Sequence, residues 1–227
     1  VRQTAADRVF ATLRAGILSG ELAAGARYSI YRLADDLGVS RTPVREAVLR
    51  LADAGLVSIE RNRGVRVRGV TAEDVREVFE LRLMVEVPAA AHAARVADDD
   101  LVAALAEASA RLHSLTADAD AAAFDTADRE LHALIASALR NAYVLAEIER
   151  LRDLIRVRGA STIGRSRSKD DIAGEHDPII EAIRRRDADA AARAMRAHLV
   201  RTGTLLMRQV SGREVDDGWA ERVSPAE

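Results

Sequence analysis

"LGVSRTPVREAVLRLADAGLVSIERNRGVRV", residues 37–67, decides how the N-terminal part of this chain folds. Gly38 interrupts one helical run, and Ser40 or Thr42 can cap the next by accepting from free N–H groups of its first turn. Pro43 is tolerated there because those N–H groups have no helical partner. Val44, Ala47, Val48 and Leu51 recur at helical spacing and predict a buried face over 41–54, closed by Gly55. Arg41, Thr42, Arg45 and Arg50 are left on other faces. "LVSIER" and "GVRVR" follow as two short strand-like runs around Asn62-Arg63-Gly64, a hairpin with a basic tip. A short helix over 30–37, a tight turn, a basic helix and a basic hairpin together read as a winged helix-turn-helix.

That arrangement suits double-stranded DNA. The start of a recognition helix enters the major groove, where an arginine can pair both acceptors of a guanine edge. Arg41 and Arg45, one turn apart, are the candidates. Arg63 at the hairpin tip can reach a phosphate or the minor groove. A solvated helix face would account for any one of these arginines taken singly. The agreement of fold, basic face and basic hairpin favours DNA.

The same segments carry a resemblance. "LRAGILSGEL", "LADDLGVSRTPVREAVLRLADAGLV" and "NRGVRV" resemble, in order and spacing, the N-terminal domain of GntR-type bacterial transcription regulators. The resemblance implies Arg41 and Arg45 near base edges, Thr42 on the DNA backbone, and Gly64 in the wing close to the minor groove. Two positions depart from the family pattern. Ala24-Gly25 stands where Pro-Gly is usual, and Tyr31 stands where the second helix often carries a polar DNA contact. Arg32 beside Tyr31 is the candidate contact at that end.

Composition bounds the rest. The chain has 227 residues and 48 % hydrophobic content, enough for a substantial core, but only 3 % aromatic content. Cores built from Ala, Leu, Val and Ile favour helices. The lack of cysteine excludes a disulfide framework and thiolate chemistry. With no signal peptide and no bilayer-length apolar run, a soluble cytoplasmic protein with no membrane partner is expected. The net charge of −2 hides an asymmetry: residues 1–69 hold 12 Arg against 7 acidic residues, whereas the remainder holds 22 basic and 29 acidic residues. Only the first part is therefore suited to nucleic acid. Arginine abundance alone, with Lys169 the single lysine, is better explained by coding bias than by DNA binding.

A helix is expected over 4–19, with Val9, Phe10, Leu13, Ile17 and Leu18 on its apolar side. "RGVTAEDV" marks a change of pattern, with Thr71 as N-cap and Glu73 and Asp74 in the first turn. Three segments follow: 1–69, a winged helix-turn-helix; 70–212, an all-α bundle of about six helices; and 213–227, a flexible tail in which Trp219 could dock. The predicted bundle helices span 72–96, 98–117, 121–138, 142–160, 169–186 and 188–210, with Asp98, Asp118 or Asp120, Asn141 and Asp187 at their starts. Pro88 should kink the first, and polar 161–168 reads as a loop. The fold class is mainly α.

Asp128 and His132 lie one turn apart on a single predicted helix, and His176 and His198 fall on the last two. Three imidazoles and a carboxylate can hold a divalent metal in a bundle with positions left open. Taken alone, an Asp-x-x-x-His pair is more often a surface pair and a mid-helix histidine more often a core residue. "EDVREVFELRLMVE", "DRELHALIASALRN", "EHDPIIEAIRRRDADAA" and "MRAHL" resemble the FCD ligand-binding domain of the FadR branch of the GntR regulators, in its shorter, VanR-like form. His/Asp sites take Zn, Ni, Mn or Fe, and the resemblance implies such a metal motif on Asp128, His132, His176 and His198. It also implies a small carboxylate effector over the metal and an arginine nearby, matched by Arg82. A local i,i+4 pairing of Arg82 with Glu86 is the alternative. His92 and His113 lie outside the motif. The chain reads as a homodimeric, ligand-responsive regulator, a repressor, on inverted-repeat operator DNA. The rivals are a metal-dependent enzyme fused to a DNA-binding domain and a sensor of the metal itself.

Overall fold

The computed structural model describes residues 4–60, 63–117, 120–156 and 161–223, apart from the side chains of Leu18 and Arg156. The expectations for Leu18 packing, Asn62 at the hairpin tip, Asp118 as a cap and helix over 157–160 fall outside what is described. The chain divides into two units, one running to Val70 and also holding the stretch from Asp153, the other holding Thr71–Arg152 and the residues from Ser161 onward.

In the first unit, helix α1 (Ala5–Ser19) starts with a capping box between Thr4 and Asp7 and ends where Gly20 takes a left-handed conformation. Strand β1 (Arg27–Tyr28) precedes α2 (Ile30–Asp36) and α3 (Arg41–Asp53), and strands β2 (Val57–Glu60) and β3 (Gly64–Val67) form the wing. Ser40 is the N-cap of α3 by position, without a side-chain capping bond. The sheet is antiparallel in the order β1-β3-β2, with Tyr28 opposite Val65 and Ile59 opposite the same residue from the other side. β1 is too short to have a readable period in the sequence. Its presence explains Gly64: φ is +94°, and a Cβ there would lie 2.4 Å from the Tyr28 carbonyl oxygen. Val9, Leu13, Ile17, Val44, Val48, Leu51, Val65 and Val67 form one buried cluster, so the apolar faces predicted for α1 and α3 meet in the core. Each such side chain contributes roughly 1.5–3 kcal/mol when fully buried.

The second unit is a bundle of α4 (Ala72–Val96), α5 (Asp99–Ser114), α6 (Ala121–Ser137), α7 (Ala142–Arg156, of which the residues from Asp153 group with the first unit), α8 (Lys169–Arg184) and α9 (Ala188–Ser211). Thr71 with Asp74 and Ser168 with Asp171 form capping boxes, while Asp98, Asp120 and Asp187 cap α5, α6 and α9. Asn141 Oδ1 accepts from the N–H groups of Tyr143 and Val144 at the start of α7. α4 continues through Pro88. Its second half buries Ala89, Ala90, Ala93 and Ala94, small side chains that permit close packing, and Ala89 clusters with Ala136 of α6 and Ile148 of α7.

Beyond α9, where the sequence predicts a flexible tail, Asp217–Arg222 form a short 3-10 helix. Trp219 docks, as its size allows. Its Nε1–H donates to Thr204 Oγ1 (3.0 Å), and that hydroxyl donates to Asp217 Oδ1 (2.6 Å). Gly203 makes room for the indole, because a Cβ there would lie 2.8 Å from Trp219 Cζ2 and 3.1 Å from the Phe79 ring. Gly203→Ala should therefore expel the indole, red-shifting the emission of the single tryptophan and costing about 1–3 kcal/mol. Fluorescence spectra and urea melts check both.

Candidate functional site

In the first unit the arginines sort into two kinds. Arg50 in the last turn of α3 pairs with Asp7 (2.8 Å) and stacks on Phe10, and Arg27 and Arg66 both pair with Glu60 (2.8 and 2.7 Å). These three tie α1 to α3 and strand to strand. Arg32, Arg41, Arg45 and Arg63 are exposed and have no acidic partner among the described residues. Arg41 lies over the exposed ring of Tyr31, 4.5 Å from its centroid, so the residue that departs from the family pattern meets the recognition helix. Thr42 is exposed beside Arg41, and Gly64 carries the backbone reason given above. All four arginines that the sequence placed toward DNA are of this second kind, as is Arg68 after the wing. Sequence reading left Arg50 open, since pairing with a residue 43 positions away leaves no local trace.

In the bundle, α6, α8 and α9 bring His132, His176 and His198 together. Each is buried, and the three offer one nitrogen apiece within 4.8 Å of one another. The other face of each ring is committed. His132 Nδ1 lies 2.6 Å from Glu86 Oε2, His176 Nδ1 lies 2.8 Å from the Ile172 carbonyl, and His198 Nδ1 lies 3.1 Å from Glu175 Oε2. A carboxylate and a carbonyl only accept, so all three Nδ1 atoms carry the proton and all three Nε2 atoms are bare. Yet His132 Nε2 and His176 Nε2 are 3.1 Å apart, and Asp128 Oδ1 is 3.3 Å from His176 Nε2. Lone pairs converge with no proton to share. A divalent cation between them would resolve that conflict; the three histidines form the converging group, with Asp128 beside it and paired to Arg152, and such donors suit Zn, Ni, Mn or Fe.

The charges around the rings agree with this. Burial first, then the Arg152 guanidinium, pushes His132 down to about 4, against the pull of Glu86. Burial and the neighbouring His176 push His198 down to about 3, and burial also lowers His176. Burial alone would raise Asp128 and Glu86, but Arg152 and Arg82 outweigh it and hold both well below the usual carboxylate range. Near neutral pH the site thus presents neutral imidazoles and an ionised carboxylate, the forms that bind a metal.

Three charged side chains of this centre, Arg152, Arg167 and Glu175, escaped the sequence reading, as did the contact of Glu86 with His132. Glu86 bridges Arg82 (2.6 Å) and His132, Arg152 pairs with Asp128, and Arg167 pairs with Glu175. Arg82 itself is buried, fans over Phe79, and makes the i,i+4 pairing with Glu86 that was the alternative to an effector role. His113 is exposed and lies 3.0 Å from Asp177, away from the cluster.

Comparison with known proteins bears on both units. Residues 77–201 match the FCD domain family, and residues 5–67 match the bacterial regulatory proteins of the gntR family. A gluconate operon transcriptional repressor of Bacillus licheniformis is 28 % identical over 200 residues, 86 % of this chain and 82 % of that protein. The transcriptional repressor RspR of Escherichia coli is 28 % identical over 197 residues, 85 % of each chain. Among solved structures, a GntR-type protein of Rhodococcus sp. RHA1 superposes with a TM-score of 0.71 at 27 % identity, covering 92 % of this chain and 99 % of that one. McbR of E. coli shares the fold, with a TM-score of 0.71 at 21 % identity over 92 % of this chain and 99 % of its own. Among the described residues, no helix is long and apolar enough to cross a membrane.

Glu86→Ala should leave the Arg82 charge buried without its partner and His132 without an acceptor. The expected loss is about 3–5 kcal/mol, measured by urea denaturation of metal-free protein.

Proposed function

The chain belongs to the gntR family of bacterial regulatory proteins and carries its FCD domain, and from that premise we propose that it is a homodimeric repressor released from operator DNA by a small carboxylate held at a metal in the bundle. Transcription regulation is the activity of the family and of the relatives, and this retires the enzyme reading. Repressors among the relatives support the sign of control. One relative is tied by name to a gluconate operon, so gluconate is the first acid to test.

The observation that carries the proposal is the convergence of bare nitrogens from three helices beside Asp128. Asp128, His132, His176 and His198 would hold the ion, which supplies a positive, ligand-accepting centre in a dry interior. An anion bound there touches several helices at once, as a ligand must if it is to favour one bundle arrangement over another. Arg82 serves as a second charge partner, sharing its guanidinium between Glu86 and the effector.

On the DNA side, Arg41, Arg45 and Thr42 lie at the start of α3, with Arg32, Arg63 and Gly64 flanking. The freedom of these arginines from acidic partners supports their use on DNA. A single winged helix reads few base pairs, so two copies on an inverted repeat give the selectivity a regulator needs.

Arg45→Ala should leave the fold intact and remove preference for the operator over random DNA, at roughly 1–3 kcal/mol per half-site. Operator selected from a random pool, followed by fluorescence anisotropy, measures it. Undiminished preference would mean that α3 is not the reading helix. The double variant His176→Ala, His198→Ala should lose its metal by elemental analysis, melt at a lower temperature, and no longer release DNA on addition of the acid. Release that persists without metal would make the centre purely structural.

A further inference from the structure

We propose that Arg167 is a positioning residue of the histidine centre, and that through it the 161–168 segment is latched to the occupancy of that centre. The proposal rests on the metal reading above. "STIGRSRS" is a sequence that would ordinarily be solvated, yet Thr162 and Arg167 are both buried, at 5 % and 6 % exposure. The backbone explains how. The Thr162 carbonyl accepts from the N–H groups of Arg165, Ser166 and Arg167, the Gly164 N–H donates to the Arg167 carbonyl (2.9 Å), and Gly164 turns the chain at φ +67°. The result is a tight loop that aims the Arg167 side chain inward.

There the guanidinium has two partners. One N–H donates to Thr162 Oγ1 (2.7 Å), within the loop, and another donates to Glu175 Oε2 on α8. The same Glu175 oxygen accepts from His198 Nδ1 at 3.1 Å. Arg201 Nε lies 3.1 Å from the other oxygen but is not aligned for a hydrogen bond, and its side chain is 60 % exposed, so it is a weak substitute. Arg167 Nε is buried with no hydrogen-bond partner among the described residues. A buried guanidinium with one donor unsatisfied is held by its remaining bonds, and the ionic one runs to Glu175. The backbone bonds close the loop, and the burial of Arg167 against α8 depends on Glu175 being held where Arg167 can reach it.

His198 is the other hand on Glu175. A cation on the far nitrogen of an imidazole makes Nδ1–H a stronger donor and fixes the ring, and outer partners in turn fix the ligand. Filling the centre should tighten the line from His198 through Glu175 and Arg167 to Thr162. Emptying it should loosen the loop. The coupling is reciprocal, so weakening Arg167 must weaken metal binding.

The test uses the full chain and zinc alone as the probe. Amide hydrogen exchange of the peptide covering 161–168 is measured with and without zinc, and zinc affinity by competition with a chromophoric chelator. In the wild type, zinc should slow exchange in this peptide. Arg167→Gln should abolish that difference and weaken zinc by about ten- to a hundredfold, and Arg167→Lys should recover part of the affinity by restoring the charge on Glu175. Thr162→Val cuts only the loop end of the line, so it should keep zinc affinity close to wild type while losing the zinc-dependent protection. This variant decides the matter if Arg167→Gln does not fold. Zinc that binds without altering exchange in 161–168, or wild-type affinity in folded Arg167→Gln, overturns the latch and leaves the metal centre standing. A wild-type chain that takes up no zinc overturns both.

Discussion

Three imidazole rings point their protonated nitrogens outward, and much of the bundle follows from that commitment. Each Nδ1–H is held by an acceptor on a different part of the scaffold: Glu86 on α4, the Ile172 carbonyl within α8, and Glu175 one residue before His176. The ring planes are thereby fixed, and the bare nitrogens have nowhere to turn but toward each other. Two of the acceptors are carboxylates, Glu86 buried and Glu175 largely so, which need cations of their own, so Arg82 and Arg167 are drawn into the interior behind them. Asp128 does the same with Arg152. Six charged side chains thus cancel in pairs around three neutral rings. A bundle of alanine and leucine has no need of such groups for stability, since replacing buried ion pairs with apolar side chains is often neutral or favourable. Their presence fits the charged ligand proposed above for this centre.

The helices were legible because their signals are local. Capping residues, glycine stops and apolar spacing lie within a turn or two of the elements they define, and α4, α6, α8 and α9 start and stop close to where those signals fall. The three histidines were legible through resemblance to a family. Arg152, Arg167 and Glu175 were not, nor was the contact of Glu86 with His132, because a charged residue on a helix looks the same in sequence whether it faces water or an opposite charge from a distant helix. Arg82 shows the limit well: spacing suggested Glu86 as a partner, but nothing in "ELRLMVE" tells that the pair is buried or that Glu86 also holds His132. β1 escaped because two residues carry no period, although the glycine that accommodates it, Gly64, stood out.

The first unit follows a similar economy with opposite sign. Acidic side chains are few there, and Asp7 and Glu60 are spent on Arg50, Arg27 and Arg66, whose bonds hold helix to helix and strand to strand. Arg41 and Arg45 at the start of α3 and Arg63 at the wing are left with no acidic partner among the described residues, although Glu46 and Asp53 are also exposed on α3. In such a small module the balance of acids decides which arginines support the fold and which are free for a polyanion.

The start of α4 carries a consequence of another kind. Thr71 and Asp74 close a reciprocal cap within four consecutive residues, each satisfying the other's backbone N–H. The opening turn of the bundle is therefore specified by its own tetrapeptide and requires nothing from whatever precedes it. Such a junction is a natural seam for recombination: the helical half can be moved behind a different N-terminal module, or replaced in front of this one, without redesigning the first turn. A swap at Thr71 finds helix nucleation already solved on one side, and what it must still match is the stretch from Asp153, which groups with the first unit.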